Sequence, residues 1–393
     1  MEQWKQDRLI DILDTLIDYR GKTPNKVERG IPLITAKIVK NGRIETPTEF
    51  LPVEEYKDWM VRGYPQVGDV VLTTEAPLGE VAQLKDDKIA LAQRIVCLRG
   101  KEDVLDNTYL KYFLMSNIGQ YRLKARETGT TVTGIKQSEL KEVLIDYPNY
   151  ELQQKIASIL SFLDAKIELN RRINDNLEQQ AQALFDYYFD DESKYLENST
   201  MGFLTDIAVY LNGLAMQKFP ATDIEQSLPV LKIRELGQRK CDDSSDRCSN
   251  TIDTDYVIDN GDIIFSWSGT LLVDVWCGGK CGLNQHLFKV SPLNNYPQWF
   301  VYYWTNRHLR KFKLIAKDKA VTMGHIRRSD LENAEVKIPS KMNMQEINAR
   351  IAPLFQSIIK RRLESSKLEK GRDTLLPKLM SGELKMSEIE IEK

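Results

Sequence analysis

Ile135-Lys136-Gln137-Ser138-Glu139-Leu140 returns 191 positions further on as Ile326-Arg327-Arg328-Ser329-Asp330-Leu331, and the same offset lays Pro148 over Pro339 and Ile156 over Ile347. Upstream, Gln93 pairs with Gln285, Gly68-Asp69-Val70-Val71 with Gly261-Asp262-Ile263-Ile264, and Ile31-Pro32 with Leu228-Pro229. The offset drifts by a few residues, as small loop insertions on one shared fold would make it do. A unit of about 190 residues far exceeds the period of solenoids and propellers, so each copy is expected to be a globular domain plus a connector. Two similar domains in one chain imply two similar binding events.

Downstream of the repeat, steps of four and three give Ile156, Leu160, Leu163, Ile167, Asn170, Asn174, Leu177, Ala181, Leu184 and Tyr188. The same phase in the second copy gives Ile347, Ile351, Leu354, Ile358, Arg361, Ser365, Leu368, Arg372, Leu375 and Leu379. This is a heptad seam. Residues 149–189 contain neither Pro nor Gly, which predicts one unbroken helix of about 38 residues, about 57 Å long. In the second copy Pro353 is expected to kink or restart the helix, Gly371 to weaken it and Pro377 to end it. Asn343 with Glu346 resembles a capping box there. The simplest partner for one apolar stripe is the other, run antiparallel about a two-fold axis, with the mid-seam Asn170, Asn174, Arg361 and Ser365 specifying register. The alternative is that each helix packs on its own domain.

The front of each copy is mixed. Strand-like runs at 31–39, 69–73 and 89–98 alternate with turn signals at Asn41-Gly42, Gly68-Asp69 and Arg99-Gly100, and their partners lie at 228–233, 262–267 and 283–290. Residues 108–124 and 298–315 read as helices. The expected fold class is α+β: two pseudo-two-fold-related α/β domains, each with a mostly antiparallel sheet, joined by two long antiparallel coiled-coil helices.

The chain has 393 residues, 42% hydrophobic and 28% charged, ordinary for a soluble protein. It shows no signal-peptide pattern and no run long enough to span a membrane, so the cytoplasm is the default compartment. Five cysteines fit a reducing compartment, and their spacing matches no zinc motif, so no metal is expected. A net charge of −2 argues against a uniformly basic nucleic-acid binder. Positive charge is local: Arg20, Lys22, Lys26, Arg29, Lys37, Lys40 and Arg43 cluster in the first copy, and Arg307, Arg310, Lys311, Lys313, Lys317, Lys319, Arg327 and Arg328 in the second. One such run reads as a solvated face, but a run in each copy beside turn-rich loops favours a polyanionic partner.

The chain resembles a specificity subunit of a type I restriction-modification system. The likeness rests on Tyr19-Arg20-Gly21-Lys22-Thr23-Pro24, Ile31-Pro32-Leu33-Ile34, Val67-Gly68-Asp69-Val70-Val71 and Gly129-Thr130-Thr131 before Ile135. It continues through Gln182-Ala183-Leu184-Phe185-Asp186-Tyr187-Tyr188-Phe189 and the terminal Leu375-Leu376-Pro377-Lys378-Leu379-Met380-Ser381-Gly382-Glu383-Leu384. It implies target recognition domains at 1–148 and 199–339, a central spacer helix at 149–198, a C-terminal helix at 340–385 and an acidic tail at 386–393. The resemblance further implies that each domain reads one half of a split DNA target and that the helices dock two methyltransferase subunits. A restricting complex would add two motor-nuclease subunits. No cofactor is expected in this chain; S-adenosylmethionine, and ATP with Mg2+, would belong to the partners. Where the first copy has Gly129-Thr130-Thr131 the second has Ala320-Val321-Thr322, which leaves that loop's role there open. Two recognition surfaces on one rod would place half-site centres about 10 bp, or a small multiple of that, apart.

The residues expected to meet DNA are Lys22, Thr23, Lys37, Arg43, Thr130, Thr131 and Lys136 in the first copy. In the second they are Lys232, Arg234, Trp267, Lys317, Lys319, His325, Arg327 and Arg328. Lys and Arg with hydroxyls hold phosphates, while Arg, Lys, Asn and Gln read base edges. Trp267 also reads as a core residue, and of the three histidines His286 is expected on a strand, His308 on a helix and His325 in a loop. Catalysis within the chain is disfavoured. Gly21-Lys22-Thr23 lacks the leading glycine of a P-loop because Leu16 stands there, no Pro-Pro methyltransferase box occurs, and Glu335-Val336-Lys337 reads as a strand edge rather than a nuclease motif. The rival is a protein scaffold, two heads on a helical rod. A DNA binder with about 6 to 10 phosphate contacts would lose about 10³ to 10⁵ in affinity between 50 and 200 mM salt, and a scaffold would bind no duplex.

Overall fold

Ile95-Val96-Cys97-Leu98 is apolar without alternation, and its place in the fold explains why. The strand Ile95–Gly100 lies inside an antiparallel sheet ordered Leu13–Asp18, Ile95–Gly100, Val70–Thr74, Leu78–Gln83. Val96 and Leu98 enter one core with Leu72, Val81, Tyr109 and Phe113, while Ile95 and Cys97 enter another with Leu33, Ile34, Ala90 and Leu91. A strand buried on both faces has no need of a polar face.

The computed structural model describes residues 4–19, 21–129, 133–190, 192–318 and 324–384. The chain forms two compact units, residues 1–165 with 369–393, and residues 166–368. The second unit repeats the sheet as Ala208–Asn212, Leu287–Pro292, Ile263–Ser266, Leu272–Val275, again with Ile263 and Phe265 in one core and Ile264 in the other. Each unit carries a smaller sheet containing one parallel pair, Leu33↔Ala90 in the first and Val230↔Gly282 in the second. Each is closed by a two-stranded ribbon, Lys5–Arg8 with Leu144–Tyr147 and Thr200–Phe203 with Glu335–Ile338. The repeated Gly-Asp motif is structural: Gly68 and Gly261 have φ of +92° and +97°, and the Asp69 and Asp262 carboxylates close the turns by accepting from Gln66 N–H and Asp259 N–H at 2.8 and 2.9 Å.

Several expectations need correction. The runs 89–98 and 283–290 are not single strands. Each breaks into two, Ala90–Leu91 and Ile95–Gly100 in the first unit, Cys281–Leu283 and Leu287–Pro292 in the second. The helix expected over 108–124 is two, Asn107–Met115 and Asn117–Lys124, because Ser116 ends one and caps the next, its Oγ accepting from Gly119 N–H at 3.2 Å. Gln298–Asp318 in the second unit runs unbroken.

The C-terminal helix, Lys341–Met380, is continuous through Pro353, Gly371 and Pro377. A helix-interior proline costs about 3 kcal/mol. Against that stand Ile347, Ile351, Phe355, Ile358, Leu376, Leu379 and Met380, all buried, at about 1.5 to 3 kcal/mol for each fully buried side chain. Pro353 itself is exposed, as is Ala349, whose carbonyl the proline leaves without a helical donor. The capping residue is Ser340 rather than Asn343: Ser340 Oγ accepts from Asn343 N–H at 3.3 Å, and the Asn343 amide donates instead to Tyr195 O at 2.9 Å.

The central helix, Tyr150–Tyr188, is unbroken, and Asn149 Oδ1 accepts from Leu152 N–H at 2.9 Å at its start. Within the second unit Asn170 meets Arg361 and Glu364, Asn174 meets Ile358, and Ala181 and Phe185 share a core with Ile347, Ile351 and Phe355. Numbers rise on one helix as they fall on the other, so the pair is antiparallel. In the first unit Ile156 and Leu160 pack with Leu376 and Leu379. Leu163, Ile167, Leu177, Leu184, Leu354, Leu368 and Leu375, expected on the seam, are half-buried. No helix among the described residues is long and apolar enough to cross a membrane.

Candidate nucleic-acid interface

The opening repeat hexapeptide anchors a loop cluster that is built the same way twice. In the first unit Thr74 donates its N–H to Arg94 O at 3.0 Å and accepts from Ile135 N–H at 2.9 Å. In the second, Trp267 donates to His286 O at 3.4 Å and accepts from Ile326 N–H at 3.1 Å. The next residue, Glu75 or Ser268, bridges to the residue before the anchor, Gly134 or His325. The two-residue turn opposite is Gln93-Arg94 in one unit and Gln285-His286 in the other.

The side chains follow the same plan with different chemistry. Arg94 forms an ion pair with Glu75, Nε 2.7 Å from Oε1, the two side chains 49% and 37% exposed. At the matching place Ser268 Oγ and His286 Nδ1 lie 3.1 Å apart in a hydrogen bond. Thr23 Oγ1 donates to Gln93 Oε1 at 3.3 Å, and Gln285 Nε2 stands 3.4 Å from His286 Nε2. Trp267 is half-buried against the core; its Nε1 donates to Asn212 Oδ1 at 3.0 Å, and its ring meets His286 and His325 at 6.1 and 6.3 Å. Trp267 thus packs as a core residue, the second role weighed for it, while bordering the cluster.

Of the residues expected to meet DNA, Thr23, Trp267 and His325 lie in these clusters. Exposed Lys22 is adjacent in sequence to Thr23, and exposed Lys136 follows the anchor Ile135. Lys37 and Arg43 lie apart from the cluster, exposed beside and on the small ribbon Val39–Lys40 with Arg43–Ile44. Lys232 and Arg234 are engaged by acids, Lys232 with Asp246 and Arg234 with Glu235 at 2.5 Å. Lys317 is exposed at the end of its helix; Arg327 and Arg328 open the short helix after the anchor, Arg328 pairing with Glu332 at 3.6 Å. Thr130, Thr131 and Lys319 lie outside the described residues. The structure adds Glu75, Gln93, Arg94, Ser268, Gln285 and His286. The turns Gln93-Arg94 and Gln285-His286 contain no Gly or Pro to mark them, whereas Glu75 and Ser268 stand just before Pro77 and Gly269, and His286 sits on a turn, not the expected strand. The signal available was the repeat itself, which pairs Gln93 with Gln285.

A duplicated α+β fold on paired helices, with amide, guanidinium and imidazole groups at matching loop tips, defines a class of two-domain proteins built on an internal repeat. The family model for the type I restriction modification DNA specificity domain matches residues 1–179 and 197–369. The chain is 29% identical to the type I restriction enzyme MjaIX specificity subunit of Methanocaldococcus jannaschii, over 99% of this chain and 95% of that one. It is 23% identical to the putative type I restriction enzyme MjaX specificity subunit of the same organism, over 98% and 94%. The crystal structure of the type I restriction-modification S subunit from M. genitalium shares the fold, with a TM-score of 0.59 at 18% identity over 96% of each chain. The chain belongs to the family of type I restriction-modification DNA specificity subunits.

Proposed function

We propose that each unit reads one half of a split DNA target and that the paired helices set the distance between the halves and dock methyltransferase subunits. In this reading the chain recognises DNA and its partners carry the chemistry. Two modification subunits supply methyl transfer with S-adenosylmethionine, and two motor-nuclease subunits, where a restricting complex forms, use ATP and Mg2+. Residues 1–148 and 199–339 are the recognition domains, 149–198 and 340–385 the helical connectors, and 386–393 a tail.

The observation that carries the reading is the loop cluster built twice on the same hydrogen bonds, with different side chains at its tip. One backbone platform with two sets of reading groups suits a target made of two unlike halves. The exposed Lys22 and Lys136 beside the first cluster and Arg327 and Arg328 beside the second are placed for phosphates, which position the domain without selecting sequence.

The test is selection of bound duplexes from a random pool by this chain co-expressed with a methyltransferase subunit. The expected product is two short defined blocks separated by a fixed undefined spacer, and exchange of residues 199–339 for those of a relative should replace one block only. No enrichment, with the partner bound and active, would sink the reading.

A further inference from the structure

Resting on the split recognition proposed above, we infer that the two-residue turns Gln93-Arg94 and Gln285-His286 are the specificity-determining tips, and that Arg94 reads a guanine in the first half-site. Three observations carry this. Each turn joins the strand of the parallel pair to the central strand of the main sheet, so backbone hydrogen bonds fix it on both sides. In each unit the second turn residue is held by the same neighbour, Arg94 by Glu75 and His286 by Ser268. At these matched places the copies keep the glutamine and change the rest, as two unlike half-sites would require.

The guanine assignment follows from how Arg94 is held. Glu75 approaches Arg94 on its Nε side, at 2.7 Å, and the guanidinium is half exposed; its planar fork matches guanine O6 and N7 in the major groove. The same carboxylate suits the cytosine N4 donor across that base pair. Glu75 also disfavours a phosphate role for Arg94, because a carboxylate in contact repels the DNA backbone. Glu75 is a positioning residue that keeps the fork aimed. In the second unit Gln285 offers the amide that pairs with adenine N6 and N7, with His286 pinned beside it.

The experiment is the same duplex selection with the methyltransferase subunit bound, using Arg94→Ala, Arg94→Lys, Glu75→Gln, Glu75→Ala and His286→Ala. The two blocks serve as mutual controls. Arg94→Ala should relax one guanine position of the first block by about 5- to 150-fold and leave the second block unchanged. Arg94→Lys, which lacks the fork, should not restore it. Glu75→Gln, which keeps an acceptor for Nε, should retain the preference that Glu75→Ala loses. His286→Ala should alter the second block alone. Uniform weakening with both blocks intact would make Arg94 a phosphate contact and overturn the inference while split recognition stands. Loss of the whole first block in both Arg94 variants would overturn it too, because a reader of one base pair does not erase its neighbours. A wild-type selection without two blocks would instead overturn the reading beneath it.

Discussion

Where the long helices meet the domains, the two units meet one packing demand with different chemistry. In the first, Asp164 accepts from Lys111 Nζ at 3.0 Å, Tyr112 OH at 2.7 Å and Arg372 at 2.9 Å. At the repeat-related positions of the second unit, Phe355 stands for Asp164 and lies 5.4 and 6.2 Å from the rings of Tyr302 and Tyr303. The second unit moves its buried charge elsewhere: Arg362 joins Asp274 and Glu178 at 2.6 and 2.7 Å, while its counterpart Arg171 in the first copy is exposed. Burial works to raise the Asp164 carboxyl, yet Lys111, Tyr112 and Arg372 favour its charged form and hold it below the usual range. Burial also pushes the Lys111 ammonium down. One backbone arrangement thus admits either a charged or an aromatic seal, and the two should fail under different stresses.

The largest expected effect is on the charged seal. Asp164→Ala leaves Lys111 buried without its carboxylate and half-buried Arg372 with Asp373 alone, and should cost about 3 to 5 kcal/mol. Hydrogen exchange should show the loss in the first unit only, and equal loss in both would break the contrast. Phe355→Ala should cost about 3 kcal/mol through the cavity it leaves, confined to the second unit and the same at pH 7 as at pH 5. A strong pH dependence of that cost would mean the aromatic seal hides a titrating partner.

A smaller change, opposite in sign, concerns Asn174. Its buried Oδ1 accepts no hydrogen bond and its Nδ2 makes only a 3.4 Å contact with Ile358 O. Asn174→Leu should therefore stabilise the second unit by about 1 kcal/mol, read from the denaturant midpoint. A lower midpoint would show that the amide carries more than register.

The smallest effect is the order of acid weakening. Burial lowers the His308 pKa, so the folded state favours neutral imidazole. The stability tied to it is present above 6.5 and declines as pH falls below that value. The lowered Asp164 contributes stability that is present above 3.8 and is lost as pH falls further. Amide protection in Gln298–Asp318 should thus weaken at milder acidity than in Asn107–Met115, and His308→Gln should abolish that early step. The reverse order would contradict the contrast.

The duplication and the central helix were legible because both are written in spacing: a repeated offset, and a heptad free of Pro and Gly. The C-terminal helix was not, since local proline chemistry points one way and long-range burial of Ile351, Phe355 and Leu376 decides the other. The paired turns of the loop clusters were hidden for a related reason. In 89–98 and 283–290 apolar residues flank Gln93-Arg94 and Gln285-His286, so each segment reads as one strand, and only the parallel pairing that ends one strand and the sheet that begins the next reveal the corner. Thr23 and His325, chosen by residue type and loop context, lie in the loop clusters, whereas the engagement of Lys232 and Arg234 by acids depends on tertiary neighbours that sequence does not display.

The closing ribbons have a consequence for inheritance. Lys5 lies opposite Tyr147 and Thr200 opposite Ile338, so each α+β domain begins and ends on adjacent strands about 5 Å apart. Recombination with breakpoints in the two strands of a ribbon would exchange a whole domain as a cassette and leave Pro148-Asn149 or Pro339-Ser340, and the helices after them, in register. A lineage could then replace one domain in a single genetic event, without altering the residues that join the helices.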